Sequence, residues 1–449
     1  MKPLIIAGIA LAGCAAVAAT VIGSSSNPPI AAGEAPQFAV AGDVPIGTRM
    51  NEMTLPDRVR ISTVGALTGN LPRETRTISV RLWYPTEAAQ NGARAVYRHT
   101  ASLPGAPGIV IEEKGAAFAD AAPRKGAKLP LVLMSHGFAG WDAYFSRLCE
   151  AIASRGYVVA SIDHRDMPFD STNSFLLSFG NVLLDRAQDQ RQVLKQLLSK
   201  PARDGDPLGL IDAEKIGLVG YSMGGYGAIA TAGGDYDATS KTISQLPKDA
   251  QAAITPADPA TAAKIKALIL IAPWGGQPDN RVWSAASLAK IRAPSLIIAG
   301  DRDDVVNFKE GVSWVFGAMT GSDRHLLVYR EARHNIVGNP VALGPDAPFP
   351  AIEYFREPVW RTERINAINQ HFITAFLDLT LKGDTAKAGF LNVPTPSSDD
   401  GDWPSKLGQQ WGSTLAGDAQ PKHWRGFQRR WALGLEMQQR PAQTSAQKP

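Results

Sequence analysis

Residues 220–225 read Gly-Tyr-Ser-Met-Gly-Gly. Ser222 therefore sits in a Gly-x-Ser-x-Gly pattern, after the apolar run 216–219 and before a small-residue stretch, 226–231, of helical character. A serine hydroxyl attacks a carbonyl carbon only if it stands clear of its surroundings and has a base beside it. A sharp strand-to-helix turn meets the first condition. Glycines on either side let the chain turn without colliding with the neighbouring strand and helix. The same stretch also fits a dinucleotide fingerprint, Gly225-x-Gly227-x-x-Ala230. That reading fails on register, because those glycines would fall inside the helix and not at the turn that opens it.

A base and an orienting acid come next. For a serine at such a turn the chain order is Ser, then Asp or Glu, then His. The segment Gly300-Asp301-Arg302-Asp303-Asp304 follows the apolar run 295–299 and puts three acids at a strand end. Of the seven histidines, only His325 and His334 come after these acids and before the last helical stripe. His334 follows the run 326–329, which reads as a last strand, whereas His325 precedes it, at the wrong end. His371 lies within the helical stripe and reads as core; His99 and His423 fall in extensions. The tetrahedral oxyanion needs two backbone N–H donors. Met223, after the nucleophile, supplies one, and the loop Ser135-His136-Gly137-Phe138-Ala139-Gly140 supplies the other. His136 and His164 read as loop-shaping residues. The aromatic side chains Phe138, Tyr221, Trp274 and Trp141 suit either an apolar acyl site or core packing.

These groups need a frame. Residues 77–84 alternate apolar and polar, a strand of period two. From residue 129 short, nearly continuous apolar runs (131–134, 157–162, 216–219, 267–271, 295–299) are separated by helical stretches. Runs buried on both faces and alternating with helices predict an α/β fold, a mostly parallel central sheet with helices on both faces. Residues 183–199 and 365–381 carry helical stripes. Residues 101–128, rich in Gly, Ala and Pro, read as a long loop, and 232–263 and 339–358 as insertions.

The chain resembles an α/β-hydrolase, and within that superfamily the bacterial predicted dienelactone-hydrolase group related to platelet-activating-factor acetylhydrolases. The resemblance rests on Arg81-Leu82-Trp83-Tyr84-Pro85, Ser135-His136-Gly137-Phe138, Gly156-Tyr157-Val158-Val159, the Ser222 motif, Gly300-x-x-Asp303 and His334, over roughly residues 75–380. It implies the fold, a Ser222–Asp303–His334 triad, and Phe138 N–H as the second oxyanion donor beside Met223. The family's spacing of glycine to acid selects Asp303 over its two neighbours. Ala272-Pro273-Trp274 resembles the stretch of cutinase-like polyester hydrolases whose Trp lines the acyl pocket, so Trp274 and Tyr221 are the expected substrate-binding residues. Dienelactone hydrolases use a Cys nucleophile; this chain has Ser222. The expected activity is carboxylic ester hydrolysis through an acyl-enzyme, on a small-molecule or lipid-like ester, with no metal and no organic cofactor. The alternatives are an amidase or peptidase with the same triad, or a non-catalytic binding module on this fold.

At 449 residues, 44% hydrophobic and 20% charged, the chain is neither wholly disordered nor a polytopic membrane protein. The net charge is +4, and residues 421–449 carry six basic side chains against Glu436. No nucleic-acid motif accompanies that basic tail, so no nucleic-acid partner is expected. Of two cysteines, Cys149 reads as buried and structural, and Cys14 lies in an apolar leader. Residues 1–23 read as a signal peptide, a lipoprotein signal lipidated on Cys14, or a membrane anchor. Each places the protein in the bacterial cell envelope or periplasm, or secreted. The expected organisation is a linker at 24–50, a hydrolase domain at 51–385, and an extension at 386–449 packed on it. In the extension, Trp403, Trp411, Trp424 and Trp431 provide apolar area, and the alternation Trp431, Leu433, Leu435 predicts a strand added to a sheet edge or to the amino-terminal hairpin near 76–84.

Overall fold

The computed structural model describes residues 22–24, 30–31, 33–87, 92–126, 128–199, 205–403, 422–428 and 430–443. Its strands are β1 (Ile22–Ser24), β2 (Ile46–Val59), β3 (Arg73–Pro85), β4 (Arg94–Leu103), β5 (Ala106–Ala119), β6 (Leu129–Ser135), β7 (Val158–Asp163), β8 (Ile211–Tyr221), β9 (Ile265–Ile271), β10 (Ser295–Gly300), β11 (Arg324–Tyr329) and β12 (Leu435–Arg440). They form one sheet in the order β1-β5-β2-β3-β7-β6-β8-β9-β10-β11-β12, with β4 paired to β5. From β7 to β11 every pairing is parallel. β3 joins β7 antiparallel, and β2 joins β3 antiparallel.

The central runs of the parallel strands are largely apolar because both their faces are covered. Every residue of β10 and β11 is buried. The helices Thr172–Ser199 and Met223–Thr231 pack together in one layer, and Ser146–Ala153 packs with Thr362–Leu381 in the other. With all five crossings parallel, the carboxyl ends of β6, β8, β10 and β11 open on one side. The loops that follow them, including 135–140, 221–223, 301–306 and 330–334, therefore share that edge.

Several stretches differ from expectation. Residues 101–128 are not one long loop: they hold the end of β4 and all of β5. Ile109, Ile111 and Glu113 face inward at period two along β5. Its small residues hide that alternation from a composition reading. Of the linker assigned to 24–50, residues 46–50 open β2, and Phe38 is buried, its N–H donating to His371 Nδ1 at 3.2 Å. Residues 232–263 carry three short helices, and 339–358 carry the helix Phe349–Phe355. His325 lies inside β11, at the end opposite His334. Residues 1–21, including Cys14, fall outside the described residues, as does Trp411. Cys149 is fully buried. Among the described residues no helix is long and apolar enough to cross a membrane.

The carboxyl-terminal extension contributes β12, which pairs antiparallel with β11, Leu435 opposite Tyr329 and Met437 opposite Leu327. The pairing is with that edge and not with the hairpin near 76–84. Trp431 and Leu433 do not enter the strand: they are exposed in a turn that ends at Gly434, whose φ of 85° breaks the extended run. Trp424 and Phe427 are buried instead, against Phe372. Truncation after residue 385 is expected to lower Tm by roughly 5 °C or more, since each buried aromatic removed costs about 3–5 kcal/mol. It also bares the β11 edge, so the shortened chain should aggregate. Calorimetry and light scattering check this; an unchanged Tm would make the extension a loose appendage.

Candidate active site

β8 ends at Tyr221, and the next helix begins at Met223. Between them Ser222 adopts φ 51° and ψ −114°, a conformation that L residues rarely hold. Three backbone bonds keep it there. Ser222 N–H donates to Ile271 O at 2.9 Å, and Ser222 O accepts from Tyr226 N–H at 3.0 Å and Trp274 N–H at 3.1 Å. The glycines are needed for close approach. A Cβ on Gly220 would lie 2.3 Å from Gly224 O, and one on Gly224 would lie 2.0 Å from Ser135 O at the end of β6. The turn thus closes against both the following helix and the adjacent strand.

His334 Nε2 lies 3.1 Å from Ser222 Oγ, and His334 Nδ1 lies 2.8 Å from Asp303 Oδ2. The residues follow three strands, and the sheet brings their ends together: the turn after β8 carries Ser222, the turn after β10 carries Asp303, and the turn after β11 carries His334. Asp303 Oδ1 accepts from the N–H groups of Val305 at 2.9 Å and Val306 at 3.0 Å. Burial works to raise the Asp303 carboxyl. The facing His334, by charge and hydrogen bond, and the two amides outweigh it and hold the group below its ordinary value. An ionised Asp303 accepts Nδ1–H and leaves His334 Nε2 free to accept the serine proton.

The neighbouring acids are engaged elsewhere. Asp301 Oδ1 accepts from Glu331 N–H at 2.6 Å, and Asp304 pairs with Arg333 on the surface. Gly300 allows the turn after β10 to pack closely, since a Cβ there would lie 2.3 Å from Ala332 O.

The loop 135–140 lies against the nucleophile: a Cβ on Gly137 would sit 3.2 Å from Ser222 Cβ. At the first turn of its helix the Met223 N–H has no intrahelical acceptor. Phe138 and Trp274 share an aromatic surface. Phe138 stacks on Phe169 with centroids 5.0 Å apart, Phe179 contacts Phe138 at 5.8 Å, and Trp274 contacts Phe179 at 5.3 Å. Tyr221 is turned inward. Its hydroxyl donates to His334 O at 3.2 Å, and its ring lies 5.2 Å from that of His334. Trp141 is buried, stacked on His99.

Beneath the loop lies a buried polar network that the sequence reading did not single out, apart from His136 and His164. Ser135 Oγ lies 2.8 Å from His164 Nε2, and His164 Nδ1 lies 2.9 Å from Asp189 Oδ2. Asp166 and Arg186 form a two-pronged ion pair at 2.7 and 2.6 Å. Arg58 and Arg76 reach Asp185 and Asp189 in the same core. The available signal was charge in the middle of an apolar helical stripe: Asp185, Arg186 and Asp189 stand among Leu183, Leu184, Ala187 and Val193.

The chain is similar to several known proteins. The family model for platelet-activating factor acetylhydrolase, isoform II, matches residues 106–176. Platelet-activating factor acetylhydrolase of Cavia porcellus is 26% identical over 144 residues, 24% of this chain and 33% of that protein. Cutinase 2 of Thermobifida cellulosilytica is 27% identical over 185 residues, 41% of this chain and 51% of that protein. The chain thus spans about a third to a half of the length of these curated relatives. Among solved structures, a ferulic acid esterase from Streptomyces cinnamoneus superposes with TM-score 0.51 at 21% identity, over 76% of this chain and 92% of that one. The fold of the chain is that of the α/β-hydrolases.

Proposed function

We propose that this α/β-hydrolase-fold protein is a serine carboxylic ester hydrolase working through an acyl-enzyme. The observation that carries the reading is the continuous hydrogen-bonded chain from Ser222 Oγ through His334 to Asp303, at 3.1 and 2.8 Å. Ser222 Oγ bonds to the ester carbonyl carbon while His334 Nε2 takes its proton. The carbonyl oxygen becomes an oxyanion held by the N–H groups of Met223 and Phe138. Collapse of that intermediate breaks the ester C–O bond, and His334 returns the proton to the departing alcohol. Water, deprotonated by the same imidazole, then releases the acid and restores Ser222. Asp303 keeps Nδ1 protonated throughout. The named relatives, an acetylhydrolase and a cutinase, support an ester as the substrate. The aromatic surface formed by the half-buried Phe138 and Phe179 with the buried Trp274 behind them suits an apolar acyl or lipid-like group.

A fluorophosphonate probe tests the reading. It should label one site per chain, mapped by mass spectrometry to Ser222, and labelling should abolish hydrolysis of short p-nitrophenyl esters. Matched anilides should turn over far more slowly. Faster cleavage of anilides would make the protein an amidase or peptidase, and absence of labelling would leave a binding module.

A further inference from the structure

The Phe138 N–H belongs to the same peptide unit as the Gly137 carbonyl. In a trans peptide these two point in opposite directions, so whatever grips the carbonyl aims the N–H. Here the carbonyl is gripped from three sides. Arg186 Nη2 donates to Gly137 O at 2.9 Å, His136 Nδ1 lies 2.6 Å from it, and Gly140 N–H donates at 3.3 Å. His136 Nε2 accepts from His164 N–H at 3.1 Å, which assigns the proton to Nδ1 and makes that atom a donor to Gly137 O.

Arg186 is itself held. Asp166 takes both its terminal nitrogens, and the second oxygen of Asp166 also accepts from Ala139 N–H at 2.9 Å. Ala139 has φ 58°, so the chain reverses there. One guanidinium–carboxylate pair therefore binds both flanks of Phe138, the carbonyl before it and the amide after it. On the outer side, Tyr354, from the helix Phe349–Phe355, donates its hydroxyl to Phe138 O at 3.1 Å. The start of the loop is pinned as well, through Ser135, His164 and Asp189. That chain repeats the pattern of a serine triad, but all three side chains are buried. No substrate carbonyl reaches it, and its effect is to fix the end of β6.

Burying an ion pair adds little net stability, because desolvation offsets the attraction. What Asp166 and Arg186 do add is a unique placement of the loop beside Ser222, and a full positive charge on the carbonyl side of a peptide polarises its N–H toward an anion. Although burial works to raise Asp166, Arg186 holds its carboxyl down at about 2, so it faces the guanidinium as a carboxylate near neutral pH.

We infer that Arg186, locked by Asp166, is a positioning residue for the oxyanion hole, orienting and polarising the Phe138 N–H through the Gly137 carbonyl. The inference rests on the serine-hydrolase reading above, and it makes the second oxyanion donor depend on a side chain from the helix Thr172–Ser199.

The test uses the full chain, a short p-nitrophenyl ester, and a trifluoromethyl ketone of matching acyl length. In forming its adduct the ketone carbon bonds to Ser222 Oγ, the serine proton passes to His334, and the ketone oxygen becomes the oxyanion. Arg186→Met should lower kcat about tenfold to hundredfold while KM changes by no more than about twofold. The ketone Ki should rise by the factor by which kcat/KM falls. Asp166→Asn should move both quantities in the same direction by less. Arg324→Met removes another buried guanidinium at the far end of β11, where Arg324 donates to Phe316 O at 2.7 Å. It should lower Tm with kcat retained. Retention of kcat within about threefold in folded Arg186→Met would overturn the inference. So would a kcat loss with an unchanged Ki. If Arg186→Met does not fold, Asp166→Asn carries the same two readouts. Failure of the wild-type chain to hydrolyse the ester or form the ketone adduct would instead remove the serine-hydrolase reading itself.

Discussion

Replacing Ser222 with Ala is expected to lower kcat for a short p-nitrophenyl ester by about 10⁶-fold, the scale on which a serine nucleophile's removal disables a triad. Ala carries no oxygen to form the acyl-enzyme, and His334 and Asp303 then have nothing to activate. What survives is oxyanion stabilisation and binding, of order 10³–10⁴ over water. The fold should be retained. Ser222 is held at φ 51° by its own backbone bonds to Ile271, Tyr226 and Trp274, and none of these uses the hydroxyl. Calorimetry should therefore show Tm close to wild type while turnover and fluorophosphonate labelling vanish together. Residual kcat above about one per cent would place the nucleophile elsewhere.

The second large effect is at Asp303. Asp303→Asn should reduce kcat by about 10⁴-fold. The cause lies in the surroundings of the carboxylate. Oδ1 accepts two backbone N–H groups, from Val305 and Val306. An asparagine must keep its oxygen on those donors and turn its NH₂ toward His334 Nδ1. That contact stabilises the imidazole with its proton on Nε2, the atom that faces Ser222, and this tautomer accepts no proton from the serine. Asp301→Asn and Asp304→Asn should stay within about threefold, because one binds the Glu331 amide and the other a surface arginine. Equal losses in all three would leave the orienting acid unassigned. A stability signature accompanies the kinetic one. The Asp303 carboxyl lies below its ordinary value in the folded chain, so its contribution is present above the ordinary carboxylate range and is lost as pH falls through the lowered value. The Tm difference between wild type and Asp303→Asn should therefore shrink toward acid pH.

Much of the frame was legible in the sequence because its signals are local. Runs such as 267–271 and 296–299 are apolar throughout, the pattern of a short strand covered on both faces. The elbow at Ser222 is likewise a matter of a few adjacent residues: Gly220 and Gly224 are glycines because the turn closes on backbone atoms of the helix and of β6. The order of nucleophile, acid and base followed from the sheet that those runs imply. β5 escaped notice because its alternating Ile109 and Ile111 are set among glycines and alanines, and the strand break at Gly434 moved the start of the tail's pairing to Leu435, four residues past Trp431.

The tertiary structure decided what depends on partners distant in the chain. Asp301, Asp303 and Asp304 are alike in type and nearly alike in position, and only the placement of His334 after a different strand makes one of them its partner. Arg186 reads in sequence as a charge interrupting an apolar helix; it becomes intelligible when Gly137, 49 residues away, presents its carbonyl to it. Tyr354 is 216 residues from the carbonyl it binds. Secondary structure and the nucleophile's turn are set by short-range sterics and periodicity, which a sequence carries on its face. Assignments of charge and hydrogen bonds in a desolvated interior are set by which groups meet across the sheet, because a buried polar atom takes the partner that geometry offers, whatever its place in the chain.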